Sequence, residues 1–162
     1  MNPDHRQPLE IRAGVITVSS TRSNITDSSG KIIITLLADA GIHAEYLGIV
    51  PDSVPEIREA LVCGMKLCNC IILNGGTGLT HDDCTIEAVE PLYEKKIDGF
   101  GELFRLKSLD EVGTSAMLSR ASGGIIQKKA IFCIPGSNGA VTLATKELIL
   151  PEIVHILTHA RK

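Results

Sequence analysis

Short apolar runs alternate with segments of helical periodicity along this chain, and this alternation limits its fold more than any other feature. Residues 13–18 (AGVITV), 44–50 and 70–73 are short runs rich in β-branched or apolar residues, which predicts buried strands. A segment with helical spacing of apolar residues follows each run. Strands that alternate with helices indicate a mainly parallel sheet covered on both faces, so we expect an α/β fold.

The first two helices carry recognisable start and stop signals. Asp27 or Ser28 is placed to cap the first helix, and Gly41 is placed to end it. Ser53 and Glu56 have the spacing of a capping box at the start of the second helix. These signals place both helices directly between predicted strands.

The second half of the chain is predicted to contain two helices joined through Ser108, then a hairpin, then a helix broken at Pro151. The two joined helices cover residues 100–107 and 109–118, and the hairpin turns at residues 127–129. The apolar stretch ELILPEIVHIL in the last helix suggests that the chain is not a monomer.

Length and charge restrict the class of protein. The 162 residues fit one domain, which we place at 13–162 after a flexible segment at 1–12. A net charge of −3 with 3% aromatic residues gives no electrostatic or stacking basis for a nucleic-acid or anionic-membrane partner. No apolar run approaches a membrane span and the N-terminus lacks a signal-peptide centre, so a cytoplasmic protein is expected. The five cysteines lack metal-ligand spacing and are expected to be mostly buried thiols.

A glycine-rich loop, NGGTGLTHDDCTIEAV at residues 74–89, joins a predicted strand to a helix that begins at about Thr85. Gly75, Gly76 and Gly78 would let backbone N–H groups approach an anion, and Thr77 adds a hydroxyl group. The loop matches neither a Walker motif nor a dinucleotide fingerprint, and a tight turn explains GGTG about as well. If the glycines serve a phosphate, Gly76→Ala should weaken binding more than it harms the fold.

Three acids accompany this loop. Asp82 and Asp83 follow it directly, and Asp52 ends the second strand at the same edge of a parallel sheet. Carboxylates beside a phosphate repel it unless a cation such as Mg²⁺ lies between them. Each Asp alone would be a helix cap or a turn residue, but three together favour a metal and phosphate site.

Two further segments carry candidate anion contacts. IPGSNGAV places Pro135, Gly136 and Ser137 at another strand-to-helix junction, which is either an anion site or a turn with a serine cap. LSRASGG contributes Ser119 and Arg120, and the arginine is suited either to a phosphate contact or to a surface ion pair.

Several long motifs together resemble a known family. NGGTGLTHDDCTIEAVEPL, GFGELFRLKSLDEVGTSAMLSRASGG, IFCIPGSNGAV and DSSGK resemble the MoaB/MogA family of molybdopterin-binding proteins of molybdenum cofactor biosynthesis, and the B branch is nearest. The resemblance runs from about Ala13 to the C-terminus. It implies a three-layer α/β/α fold that assembles as a homotrimer or homohexamer.

The resemblance also implies a reaction and its residues. Active members transfer AMP from ATP, with Mg²⁺, to the terminal phosphate of molybdopterin and release pyrophosphate. The family's two catalytic, metal-binding acids fall on Asp83 and Asp52, and Asp82 would be an additional metal ligand. The glycine loop together with Ser119, Arg120 and residues 135–137 would bind the substrate.

The chain departs from the family pattern at two positions. Asp82 stands where the family usually has Arg, and Ser20 stands where it often has Asp. The THDD segment is instead similar to CinA-type proteins. Two alternatives to adenylyl transfer therefore remain, a non-catalytic molybdopterin-binding protein and a CinA-like nucleotide pyrophosphatase.

Overall fold

A six-stranded sheet forms the centre of the molecule, in the order β2-β1-β3-β6-β5-β4. The computed structural model describes residues 9–23 and 26–162, so much of the predicted flexible segment 1–12 lies outside the described residues. Strands β1, β2, β3 and β6 are parallel, whereas β5 pairs antiparallel with β6 and β4 antiparallel with β5. The strands are β1 Ala13–Val18, β2 Ala44–Val50, β3 Cys70–Asn74, β4 Lys95–Lys96, β5 Ser122–Ile126 and β6 Lys129–Ile134.

Helices cover both faces of this sheet, which confirms the predicted three-layer α/β/α architecture. They are α1 Ser28–Asp39, α2 Val54–Leu67, α3 Thr85–Val89, α4 Asp98–Val112, α5 Asn138–Leu143 and α6 Leu150–Ala160. Glu90–Leu92 and Gly113–Leu118 are 3₁₀ segments, and Ala144–Ile149 is a π-helical segment between α5 and α6. Helices α1, α4, α5 and α6 pack against one face of the sheet, and α2 and α3 pack against the other.

The two faces are built by the alternation of side chains along each strand. In β1, Val15 belongs to the core under α1 and Ile16 to the core under α2. Ile72 and Ile71 divide in the same way in β3. Because both faces are covered, every residue of β1 and β3 is buried, as the continuous apolar runs predicted.

The predicted end of α1 is correct, but the predicted capping box of α2 is wrong. Asp27 caps α1 by accepting a hydrogen bond from the Gly30 amide at 3.0 Å, and Gly41 follows the helix at φ +77°. Ser53 makes no side-chain cap, and its amide donates to the carbonyl of Pro51 at 2.8 Å. That amide is therefore not available to Glu56, which a capping box requires.

Two predicted helix interruptions do not occur. Helix α4 continues through Ser108, whose hydroxyl donates to the carbonyl of Phe104 at 2.7 Å and so needs no break in the helix. The helix also continues through Pro151. A π-helical turn precedes the proline, and the Leu150 amide donates to Thr145, five residues earlier, which widens the helix where the proline lacks an N–H.

The apolar side chains of the stretch ELILPEIVHIL pack inside this chain. Leu148, Ile149 and Ile153 are buried in the core under α1. These buried side chains are not available for contact with another chain, and self-association stays a prediction. Exposed large apolar residues lie instead on α4 and the following 3₁₀ segment: Leu103, Leu106, Leu109, Val112, Met117 and Leu118.

The parallel strands bring the loops that follow them to one edge of the sheet. β1, β3 and β6 end there at Val18, Asn74 and Ile134. The β5–β6 hairpin turns at the opposite edge, with Gln127 and Lys128 both at positive φ, as the sequence predicted. No helix in the described part of the chain is long and apolar enough to cross a membrane.

Candidate functional site

A cavity of about 540 Å³ lies beyond the carboxyl ends of β3 and β6. Its walls are the glycine-rich loop, the loop between β6 and α5, and the side formed by α4 and the following 3₁₀ segment. Most of the predicted substrate-binding residues line this cavity: Gly75, Gly76, Thr77, Gly78, Ser119, Pro135, Gly136 and Ser137. The predicted catalytic residue Asp83 lines it too. The long-range fold thus brings three separate sequence motifs to one place.

The first two glycines of the loop are required by its backbone. Gly75 and Gly76 have φ of +94° and +66°, in the left-handed region that favours glycine. A Cβ on Gly75 would overlap the carbonyl oxygen of Val18, and a Cβ on Gly76 would overlap the hydroxyl of Thr85. The expectation that Gly76→Ala has only a modest effect on the fold is therefore wrong.

The hydrogen bonds of the loop satisfy its carbonyl groups and leave three of its amides without a partner in the described residues. The carbonyl of Gly75 accepts from the Thr85 hydroxyl at 2.8 Å, and the carbonyl of Gly76 accepts from the Thr85 amide at 3.0 Å. The carbonyl of Thr77 accepts from Arg120 Nε at 3.0 Å. The amides of Gly76, Thr77 and Gly78 donate to no group among residues 9–23 and 26–162. A loop with satisfied carbonyls and open amides is suited to an anion.

The β6–α5 loop touches the glycine-rich loop. A Cβ on Gly136 would lie 3.1 Å from the Gly75 Cα, so the two backbones are in close contact. Ser137 caps α5 by accepting from the Ala140 amide at 3.2 Å, which is the cap that the sequence offered as one alternative. Both loops therefore form one continuous rim of the cavity.

Two of the three predicted acids lie beside the glycine-rich loop. Asp83 lines the cavity, and its Oδ2 accepts from the Thr80 amide at 3.0 Å and the Thr80 hydroxyl at 2.8 Å. Asp52 Oδ1 lies 3.1 Å from the position of a Cβ on Gly76, and Asp52 Oδ2 accepts from the Ser20 hydroxyl at 2.9 Å. Each carboxylate thus keeps its Oδ1 for a further partner.

Asp82 is not brought to the cavity. Its side chain is 89% exposed, and its carboxylate lies 3.6 Å from His81, which is also fully exposed. Among the described residues, no three His, Cys, Asp or Glu side chains form a group that could hold a metal. The oxygen atoms of Asp52 and Asp83 nevertheless suit Mg²⁺, which takes one or two carboxylates and completes its shell with water and phosphate oxygens. Magnesium binding stays a prediction.

Arg120 forms the surface ion pair that was one of its two predicted roles. Its guanidinium contacts both carboxylate oxygens of Glu87, while its Nε holds the Thr77 carbonyl. The hydrogen bond from Arg120 lowers the pKa of Glu87, and the same bond raises the pKa of Arg120. A direct phosphate contact by Arg120 stays a prediction.

A buried polar network under the two loops was not found from the sequence. Thr17 donates to Asp27 at 2.7 Å, and Asn74 donates to Thr17 at 3.0 Å and accepts from Ser29 at 2.8 Å. Arg22 contacts Ser29 and donates to the Gly136 carbonyl at 3.4 Å. Polar residues at the ends of the apolar strands β1 and β3 were the signal that could have indicated it.

Glu111, near the end of α4, lines the cavity and was not found by sequence reasoning. It lies in a helix with many exposed charges, so only the tertiary structure distinguishes it from its neighbour Asp110. Asp83 and Glu111 are the two charged residues in the cavity lining.

The fold and the site define an α/β protein with a cavity beyond the carboxyl ends of a mostly parallel sheet, lined by a glycine-rich loop whose amides have no partner in the described residues. Residues 14–155 match the family model described as a probable molybdopterin binding domain. The chain belongs to this family of molybdopterin-binding, molybdenum cofactor biosynthesis proteins, which confirms the resemblance seen in its motifs.

Similarity to individual family members extends over almost the whole chain. Molybdenum cofactor biosynthesis protein B of Bacillus subtilis is 44% identical over 164 residues, covering 98% of this chain and 96% of that protein. A crystal structure of a molybdenum cofactor biosynthesis protein B superimposes with a TM-score of 0.91 at 46% identity, covering 96% of this chain and 98% of that one. The tungsten cofactor synthesizing protein MoaB from Pyrococcus furiosus gives a TM-score of 0.88 at 39% identity, covering 96% and 100%.

Proposed function

We propose that this protein binds molybdopterin in the cavity and transfers AMP from ATP, in the presence of Mg²⁺, to the terminal phosphate of molybdopterin. One oxygen of that phosphate attacks the α-phosphorus of ATP, the bond from the α-phosphorus to the bridging oxygen breaks, and pyrophosphate leaves. No protein nucleophile takes part. The residues of the chain position the two substrates and neutralise their charge.

The observation that carries this proposal is the polarity of the glycine-rich loop. The carbonyls of Gly75, Gly76 and Thr77 are held by Thr85 and Arg120, and the amides of residues 76–78 are left for an anion. A loop that served only as a turn would not require all three carbonyls to be hydrogen-bonded while the amides stay open. Phosphate groups are the anions that such loops bind most often.

Asp83 and Asp52 supply the acidic side of the same site. Their carboxylates lie next to the loop amides, where two phosphate-bearing substrates would otherwise face repulsion. Mg²⁺ bound with ATP would offset that repulsion and draw charge from the reacting phosphates. The Ser20 hydroxyl donates a hydrogen bond to Asp52 Oδ2 and holds this carboxylate in place.

We further propose that the chain associates with copies of itself through α4. Leu106 on α4 and Met117 on the following 3₁₀ segment are 61% and 78% exposed, and Leu103 and Leu109 are exposed on either side of Leu106 in α4. Apolar patches of this kind on a folded chain are typical of protein–protein contacts. A homotrimer or homohexamer is the assembly expected for this family.

The decisive experiment incubates the protein with ATP, Mg²⁺ and molybdopterin and measures adenylated molybdopterin and pyrophosphate. Formation of both in equal amounts would support adenylyl transfer. Molybdopterin binding without either product would indicate a non-catalytic binding protein. Hydrolysis of ADP-ribose in the absence of molybdopterin would indicate the pyrophosphatase alternative.

A further inference from the structure

The two charged residues of the cavity lining lie on different walls. Asp83 follows the glycine-rich loop, whereas Glu111 belongs to the wall formed by α4 and the 3₁₀ segment. The rest of that wall is apolar or carries hydroxyl groups, including Phe104, Val112 and Ser115. A ligand held by its phosphate at the loop amides would place its other end against this wall.

Glu111 is exposed, as Asp110 is, and it has no hydrogen-bond partner within the described residues. One of its carboxylate oxygens lies 3.8 Å from the position of a Cβ on Gly139, at the β6–α5 rim of the cavity. An ionised carboxylate only accepts hydrogen bonds, so it is matched by a ligand group that carries N–H donors. Ser108, its neighbour in the lining, already donates to the Phe104 carbonyl and does not serve Glu111.

We infer that Glu111 recognises the 2-amino-pyrimidinone edge of the pterin and is thereby a specificity-determining residue of the site. This inference rests on the proposed function, since it takes a pterin phosphate as the ligand. The pterin edge carries two adjacent N–H donors, from the 2-amino group and from N3. They face the same direction, so one carboxylate accepts both in a bidentate, charge-assisted contact.

The same carboxylate disfavours adenine. The hydrogen-bonding edge of adenine presents an amino donor beside the N1 acceptor, so one carboxylate oxygen would face a lone pair. Because of Glu111, the pterin ring binds at the α4 wall of the cavity and the adenine ring of ATP does not. Discrimination of this kind comes from leaving a polar group unpaired when the wrong ring binds.

The position of Glu111 in its helix offers a competing structural role. It lies one residue before the end of α4, where the helix dipole disfavours a negative charge, but it also faces the start of α5, where the dipole favours one. A purely structural Glu111 would affect the melting temperature and leave ligand preference unchanged. The two roles are separated by measuring both quantities.

The test compares the binding of 6-methylpterin and 6-methyllumazine, which has a carbonyl in place of the 2-amino group. Calorimetric titration of the unaltered protein should show a preference for the pterin of about tenfold or more, the effect of one charge-assisted hydrogen bond. Glu111→Gln should reduce that preference to about twofold or less. Asp110→Asn is the matched control, because it removes the same charge from the neighbouring exposed residue, which does not line the cavity, and it should keep the preference.

A second titration with inorganic pyrophosphate separates the two ends of the cavity. Glu111→Gln should bind pyrophosphate at least as well as the unaltered protein does, because no loop amide is changed. If the unaltered protein prefers the pterin and Glu111→Gln keeps that preference, the role of Glu111 is overturned while the proposed function stands. If the unaltered protein binds neither pterin nor molybdopterin, both fail together.

Discussion

Arg120 Nε donates a hydrogen bond to the carbonyl oxygen of Thr77 at 3.0 Å, although 43 residues separate them in the chain. The guanidinium is held in turn by Glu87 on α3. This contact gives the Thr77 carbonyl a partner, Arg120, that does not line the cavity, whereas the amides of Gly76, Thr77 and Gly78 have no partner in the described residues. Arg120 thus acts on the ligand site through the loop backbone.

Replacing Arg120 by Lys should weaken the binding of a phosphate-bearing ligand. Lysine keeps the charge but loses the planar fork that contacts Thr77 and Glu87 together. One lost hydrogen bond costs about 0.5–1.5 kcal/mol, so pyrophosphate affinity should fall by a factor of about 2 to 12. Arg58→Lys is the matched control, because Arg58 Nε donates to the Ala88 carbonyl at 2.8 Å away from the cavity, and it should leave affinity unchanged.

The Arg120–Glu87 pair should give a pH-dependent contribution to stability. The pKa of Glu87 is lowered in the folded protein, so the pair stabilises the fold above the ordinary glutamate pKa of about 4.3 and loses this effect as pH falls through the folded pKa. Half the Glu87 side chain is exposed, which limits the effect to about 1 kcal/mol or less. The difference in melting temperature between the unaltered protein and Glu87→Gln should stay constant from pH 7 down to about pH 4.3 and shrink towards zero as the pH falls further, through the lowered pKa of Glu87 in the folded protein. A difference that stayed constant over the whole range would contradict the pairing.

Asp83 should be the most sensitive acid for turnover. Asp83→Asn keeps size but removes a charge beside the loop amides, so adenylyl transfer should fall at least about tenfold. Asp82→Asn removes the same charge from a side chain that is 89% exposed and outside the cavity. Its turnover should stay within about twofold of the unaltered protein, as expected for a screened surface charge. An equal loss of turnover in both variants would show that Asp82 takes part in the reaction as Asp83 does.

Two glycines of the loop should respond differently to alanine. Gly78 is not at positive φ, and an added Cβ would lie 2.6 Å from Asp83 Oδ2, a side-chain atom that is able to move. Gly78→Ala should therefore displace Asp83 and lower turnover, with a small loss of stability. Gly76→Ala should lower the free energy of unfolding by more than about 1 kcal/mol, because it combines positive φ with an overlap at Thr85. Melting curves and turnover of both variants check this.

The exposed apolar surface of α4 should control self-association. Light scattering at micromolar concentration should give three or six times the chain mass of 17.3 kDa. Leu106→Glu should shift the protein towards the monomer, because a charge on this surface would be buried without a partner. Leu67→Glu changes another leucine, 52% exposed on α2, and should leave the assembly intact. A monomeric unaltered protein would refute the proposed association.

The cysteines should differ sharply in reactivity. Burial raises the pKa of Cys70 and Cys133 to about 12, so both thiols stay protonated at pH 8 and do not react with a thiol reagent. Cys63 is exposed and should react rapidly in the native protein. Mass spectrometry after labelling should find Cys63 modified first, and all five residues modified only after unfolding. Early labelling of Cys133 would show that β6 opens readily.

Local sequence patterns determined the elements of this fold and the composition of its loops. The apolar runs at β1 and β3 predicted buried strands because side chains alternate between two covered faces, and both strands are where they were expected. Asp27 and Gly41 marked the limits of α1 because capping depends on residues within a few positions of the helix end. The glycine-rich loop and the family motifs also lie within single continuous segments.

Tertiary structure alone decided which of these residues meet. Asp82 and Asp83 are adjacent in sequence, yet only Asp83 lines the cavity, whose walls come from the glycine-rich loop, the β6–α5 loop and α4. Arg120 reaches Thr77, and Glu111 reaches the cavity, through the packing of elements far apart in the chain. Such contacts depend on how helices lie against the sheet, and no local periodicity or spacing records that packing.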